Sequence, residues 1–210
     1  MYLPDSFREA GLHEQHALIR THPLGLLISL ADGAPVANPI PFLLDASVGE
    51  RGLLRAHLAR ANPQWRALKQ TPDALIVFQG ADAYVTPSWY ATKRETGKVV
   101  PTWNYAIVQA RGKIRVIEDA GWLSAQVGAL TDAHEAARAM PWAVTDAPEP
   151  YIARQLKGIV GLEMEITTLD GKWKVSQNRS EADRAGVAAG LDASDDPRAR
   201  DVAAMVRATP

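Results

Sequence analysis

Three stretches of the 210-residue chain hold side chains whose types and spacing can do chemistry. Residues 51–69 contain Arg51, Arg55, Arg60, Arg66 and Lys69 and no acid. Arg55 and His57 are spaced to share one face of a strand, and Arg60 follows at its exit, just before a helix start. Guanidinium forks and free backbone N–H groups both donate to anions, so this stretch suits a phosphate. A solvated charge run around a hydrogen-bonded strand histidine is the other reading of the same residues. The second stretch spans residues 84–105. Its ends, Tyr84-Val85-Thr86-Pro87-Ser88-Trp89-Tyr90 and Val100-Pro101-Thr102-Trp103-Asn104-Tyr105, are dense in aromatic and small polar residues, with Lys93, Arg94 and Lys98 between them. Aromatic faces with a few donors beside them are what a flat heterocycle requires. Equally, Trp89 and Trp103 could anchor a core or a subunit interface. The third stretch, residues 171–179, places Lys172, Lys174, Ser176, Gln177 and Asn178 around a strand end. Such an end can bind a ligand or simply be wet.

Other chemistries find little support. There is no cysteine, which removes disulfides, thiol nucleophiles and Cys-ligated metals. His13 and His16 stand three apart on a presumptive helix, and His22, His57 and His134 are scattered, so no metal site is expected. The Gly-rich phosphate loops and the G-x-S-x-G elbow are absent, and no pattern names a catalytic residue. With 23 Lys+Arg against 24 Asp+Glu the net charge is −1, which gives no global pull toward nucleic acid or an anionic membrane. DNA remains a possible partner only through a local patch. Residues 23–44 are weakly charged but broken by Pro35, Pro39 and Pro41, unlike a membrane span. A cytoplasmic protein is the expectation.

The elements that must position these residues read mostly as strands in hairpin order. Ser6-x-x-Glu9 has capping-box spacing, predicting a helix from there to about His22. Residues 26–30 and 36–44 form a hairpin around Asp32-Gly33, and residues 52–58 form a third strand. Asn62-Pro63 starts a short helix to Lys69. Residues 75–78 and 83–86 read as two short strands. Residues 107–117 alternate strictly, with Val108, Ala110, Gly112 and Ile114 on one face. Asp119 caps a helix, and another runs near residues 151–157. A strand over 160–166 turns at Asp170-Gly171 into residues 172–176. This order predicts an antiparallel sheet or barrel with flanking helices. One domain spans residues 1–191, with a helical or frayed extension at 192–210.

Five blocks together resemble the PaiB-type family. They are Met1-Tyr2-Leu3-Pro4 with Phe7, the run from His57 to Trp65, Tyr84 to Tyr90, Lys98 to Tyr105, and Lys172 to Asn178. The resemblance implies a Greek-key split β-barrel that binds FMN, akin to pyridoxamine-phosphate oxidases and flavin reductases. It also implies a homodimer with flavin at the subunit interface and a role as a negative transcriptional regulator. The matching positions make Arg55, His57 and Arg60 candidates for phosphate and ribityl contacts. Thr102, Trp103 and Asn104 become candidates for the ring's surroundings, and Lys174, Ser176, Gln177 and Asn178 for contacts from the other side. A flavin-dependent oxidoreductase acting on a small molecule is the alternative.

Overall fold

The computed structural model describes residues 1–208. The last two residues of the expected extension, 209–210, lie outside the described residues. The chain does not open with the helix that Ser6-x-x-Glu9 predicts. Asp5–Phe7 form one 3-10 turn, Arg8–Glu9 form strand β1, and helix α1 runs over Leu12–Thr21. The Glu9 carboxylate accepts from the Gly11 N–H, and the Glu9 carbonyl accepts from the Gln15 side chain. Arg8 and Glu9 pair with Lys172 and Gly171 of β9, Thr168–Lys174. Tertiary pairing thus takes the residues that a capping box would use. It also puts Asp170-Gly171 inside β9, where a turn was expected.

Strands β2, Leu24–Ala31, and β3, Ala34–Pro41, form the expected hairpin. Its two-residue turn holds Asp32 at φ 52° and Gly33 at φ 75°, the left-handed pair that matches strand twist. β4 is Leu43–Asp45 and β5 is Leu53–Ala59. The Asn62 side chain then accepts from the Gln64 N–H as α2, Gln64–Gln70, begins. The two short strands expected near 75 and 83 are a single one, β6, Asp73–Val85. After the short α3, Thr92–Thr96, comes β7, Thr102–Ile117. Asp119 caps α4, Ala120–Glu135, through the Trp122 N–H. Then follow α5, Glu149–Lys157, and β8, Ile159–Glu165, and after β9 come α6, Glu181–Asp192, and α7, Pro197–Ala208.

The strand order is β3-β2-β6-β7-β8-β5-β4, with β9 on β7 and β1 on β9. Every pair with a defined register is antiparallel. The fold is a mainly β, antiparallel split barrel with flanking helices.

Two compact units divide the chain, and β6 and β7 contribute residues to both. The unit of Ile19–Phe78 and Gln109–Leu169 has a core of Leu27, Leu54, Ile76, Phe78, Leu162 and Met164. Phe42 meets Phe78 edge-on there, with ring centroids 5.8 Å apart. The other unit comprises Met1–Leu18, Gln79–Val108 and the described residues from Asp170 on. Its core joins Val85, Tyr90 and Val175 to Val187 and Leu191 of α6 and Val202 and Val206 of α7. Residues 197–208 are therefore helical, with Ala199, Val202, Ala203 and Val206 inside this core. Trp89 lies against α6 where Gly186 and Gly190 stand one turn apart. A Cβ on Gly190 would come within 2.3 Å of the indole.

Gly190→Ala gains roughly 1 kcal/mol of helix propensity and meets an overpacking cost of about 1–3 kcal/mol. Urea denaturation should show net destabilisation. Gly128→Ala in α4, where a Cβ meets nothing within 4 Å, should instead raise stability by up to about 1 kcal/mol.

Candidate functional site

The alternation of β7 sorts the second stretch into two faces. Asn104, Ala106 and Val108 are buried, while Trp103 and Tyr105 point the other way. Trp173 of β9 packs against the core that holds Val175, the residue just past the strand, so Lys172 and Lys174 fall on the opposite face. On β6, Ala83 and Val85 are buried and Tyr84 is outward. In this unit Tyr84, Trp103, Tyr105, Lys172 and Lys174 thus share an outward face. Trp103 is 53% exposed and Tyr84 48%, with their rings edge-on at 6.0 Å.

Lys174 donates to the Thr102 hydroxyl and the Trp103 carbonyl. No carboxylate among the described residues pairs with it. Burial holds its pKa below the ordinary lysine value, reinforced by the charges of Lys172 and Arg179. Lys172, 8% exposed, donates to the Tyr2 carbonyl and lies 5.5 Å from the ring centroids of both Tyr2 and Tyr105. Aromatic quadrupoles there stand in for a counter-ion. Tyr84, Tyr105 and Lys172 were not assigned site roles from the sequence. Period-two alternation carried through 102–106 and 172–174 would have placed the latter two beside Trp103 and Lys174.

The remaining candidates of this unit are mostly occupied. Asn104, 1% exposed, donates to the Ser176 hydroxyl at 2.9 Å. Ser176 has φ 66°, a left-handed backbone that ends the strand. Gln177 folds back, accepting from the Val175 N–H and donating to the Trp173 carbonyl. Asn178 is exposed. Asn104, Ser176 and Gln177 therefore brace the outward face from behind, while Thr102 and Lys174 are bonded to each other.

Arg55, His57 and Arg60 lie in the other unit. Arg55 and His57 share a face of β5, as their spacing predicts. Arg55 is ion-paired to Asp45 at 3.3 Å and to Glu163 at 3.4 Å. His57 sits opposite Gly161 of β8, on which the Trp122 ring of α4 rests. Its Nδ1 is buried without a hydrogen-bond partner, and desolvation lowers its pKa. Arg60 donates to the carbonyls of Lys157 and Ile159 and to Glu118, which uses three of a guanidinium's five N–H groups. Glu118 also accepts from Lys69, and these two hydrogen bonds, Lys69's first, hold its pKa down to about 2. The sequence shows this stretch as acid-free, yet folding brings acids to it from residues 45, 118 and 163.

Among the described residues no cluster of three His, Asp or Glu could hold a metal, and no helix is long and apolar enough to cross a membrane.

The sequence model of the family described as "Putative FMN-binding domain" matches residues 1–168. The chain belongs to this family. The FMN-binding-domain match takes in Arg55, His57, Arg60 and Thr102 to Asn104, whereas Lys174 and Ser176 to Asn178 lie past its end. An uncharacterized protein of Emericella nidulans is 38% identical, over 91% of this chain and 90% of that protein. The protease synthase and sporulation protein PAI 2 of Bacillus subtilis is 29% identical, over 98% and 96%. Among solved structures, the FAD and heme binding protein of Mycobacterium smegmatis aligns with TM-score 0.59 at 22% identity, covering 80% of this chain and 73% of that one. The flavocytochrome Anf3 of Azotobacter vinelandii gives 0.57 at 16%, covering 85% and 75%. These likenesses concern the split-barrel fold.

The His57 environment makes stability depend on pH with a definite sign. Between its lowered folded pKa and the ordinary 6.5, the unfolded chain binds a proton that the folded chain does not, so stability rises with pH across that window. Cooling of the thermal midpoint between pH 7 and pH 5 should be steeper for the natural chain than for His57→Gln. Equal slopes would mean that His57 is solvated.

Proposed function

We propose that this chain is an FMN-binding flavoprotein of the PaiB type. One observation carries the reading: an open indole, Trp103, stands beside an ammonium without an acid, Lys174, in a member of an FMN-binding-domain family. An isoalloxazine needs a flat apolar wall and donors for its carbonyl edge. Trp103 and Tyr84 supply the wall, and Lys174 keeps one of its three N–H groups after bonding Thr102 and Trp103. Asn104, Ser176 and Gln177 hold these groups in place, and Asn178 offers an exposed amide. Arg55, His57 and Arg60 are the proposed phosphate and ribityl contacts, where a phosphate competes with the acids already paired to the arginines. Bound FMN would supply a two-electron carrier, and a nearby cation such as Lys174 favours negative charge on the ring.

The protein is proposed to work in the cytoplasm as a homodimer, as a flavin-dependent sensor in negative transcriptional regulation. Direct docking on DNA is the less favoured route. Arg55, Arg60, Lys69, Lys113 and Arg115 all have carboxylate partners, so phosphates would have to displace them. One observation favours a second reading, a flavin-dependent oxidoreductase: the outward side of Trp103 is open enough to admit a small second substrate.

Freshly purified protein should be yellow or take up added FMN stoichiometrically. Lys174→Met and Arg60→Ala should each weaken retention about tenfold or more, the loss of about 1.4 kcal/mol expected for a charge-assisted contact, while Lys113→Ala should leave it unchanged. Colourless protein that ignores FMN overturns the reading. Anaerobic bleaching by a reduced nicotinamide separates the enzyme from the sensor.

A further inference from the structure

We propose that Gln126 of α4 completes, with His57 and Arg55 of β5, an electrically neutral site for a chain of hydroxyl groups, the ribityl part of a flavin. The inference rests on the flavin reading above and divides its contacts, placing the hydroxyls under α4 and the phosphate at Arg60. Its basis is a set of polar atoms that folding leaves without partners. Gln126 is 3% exposed, and neither its amide nitrogen nor its amide oxygen has a hydrogen bond. His57 Nδ1 and Arg55 Nε are buried in the same condition, although a Glu163 carboxylate oxygen stands 3.4 Å from that Nε. Buried amides in folded proteins find partners, and an orphaned one destabilises the state that holds it.

These atoms belong to one layer. Gly161 of β8 lies opposite His57, and Glu163 lies opposite Arg55, so all four residues share one side of the sheet. That is the side α4 covers, because the Trp122 ring occupies the space over Gly161 and α4 packs on both β8 and β5. Gln126 follows Trp122 by four residues and projects from the same face of the helix. The cover is lightly fastened. Of the 16 residues of α4 only Leu123, Gln126 and Leu130 are buried, so lifting it gives up little apolar contact, the mark of an element that opens locally.

Charge balance chooses the ligand. Arg55 and Arg115 are matched by Asp45 and Glu163, and desolvation favours the neutral form of His57. A phosphate dianion brought here would meet two carboxylates and no surplus cation. Hydroxyl groups suit the layer better. Each both donates and accepts, as do the amide of Gln126 and a neutral imidazole. Around Arg60 the balance differs, because Arg60 and Lys69 share the single carboxylate of Glu118. One positive charge is left over there, which suits the phosphate.

The test compares the natural chain with Gln126→Met, a change of similar volume and helix propensity. Without ligand the variant should have the higher thermal midpoint, because two orphaned atoms are gone. In equilibrium dialysis it should hold riboflavin and FMN about fivefold more weakly, as expected for the loss of one neutral hydrogen bond. Lumiflavin, which has the ring but no ribityl chain, should bind both proteins alike. A lower midpoint, an unchanged riboflavin constant, or equal losses for riboflavin and lumiflavin would each overturn the site. Ribitol, the chain without the ring, separates the site from the flavin reading. It should slow deuterium exchange in α4 of the natural chain more than in the variant. If no flavin binds but ribitol discriminates, only the flavin reading fails. If flavins bind equally to both proteins, only the site fails, and if neither flavin nor ribitol tells them apart, both fail.

Discussion

Alternation along β7 is the constraint on which the candidate site depends. A strand has two faces, and β7 commits one of them to a core through Asn104, Ala106, Val108 and Ala110. Every property of the outward face follows from that commitment, because a one-residue slip would bury Trp103 and Tyr105 and expose Asn104. The Asn104–Ser176 hydrogen bond guards this register. A slipped β7 would leave the buried Ser176 hydroxyl without this partner, at a cost of about 1–3 kcal/mol. Lys174 is held to the same strand by the Thr102 hydroxyl and the Trp103 carbonyl. The ammonium beside the indole is therefore a consequence of strand pairing, achieved without a carboxylate.

The two groups of cations illustrate how folding redistributes charge. Arg55 and Arg60 belong to an acid-free run in the sequence, yet each meets a carboxylate brought from far along the chain. Glu163 lies between Arg55 and Arg115 on neighbouring strands, which spreads one negative charge over two guanidinium groups. Lys172 and Lys174 have no such compensation and rely on carbonyls, a hydroxyl and aromatic faces. An anionic or electron-rich ligand gains more from uncompensated cations than from paired ones, which is why the outward face of β7 and β9 carries the functional reading.

Much of this was legible in the residues themselves. The alternation of 107–117, the Asp119 cap, the Asn62-Pro63 helix start and the Asp32-Gly33 hairpin are local signals, and each appears where its physics requires. The failures share one cause. Ser6-x-x-Glu9 and Asp170-Gly171 are good local signals for a cap and a turn, but β1 and β9 pair across more than 160 positions and override both. Residues 75–78 and 83–86 read as separate short strands and instead lie within one continuous β6. The family blocks pointed to Thr102 to Asn104 and Lys174, and only the strand faces separate the outward Trp103 and Lys174 from the bracing Asn104 and Ser176. Lys172 stood in a candidate stretch, but its contacts with Tyr2 and Tyr105, 170 and 67 positions away in the chain, were not legible there.

Fluorescence of the bound flavin tests most directly whether the outward face of β7 holds the ring. An electron-rich indole against an isoalloxazine quenches its emission. FMN bound to the natural chain should therefore be dim and highly anisotropic, and Trp103→Leu should restore emission while the anisotropy stays high. Bound flavin whose emission is the same in both proteins would place the ring away from Trp103 and contradict the account.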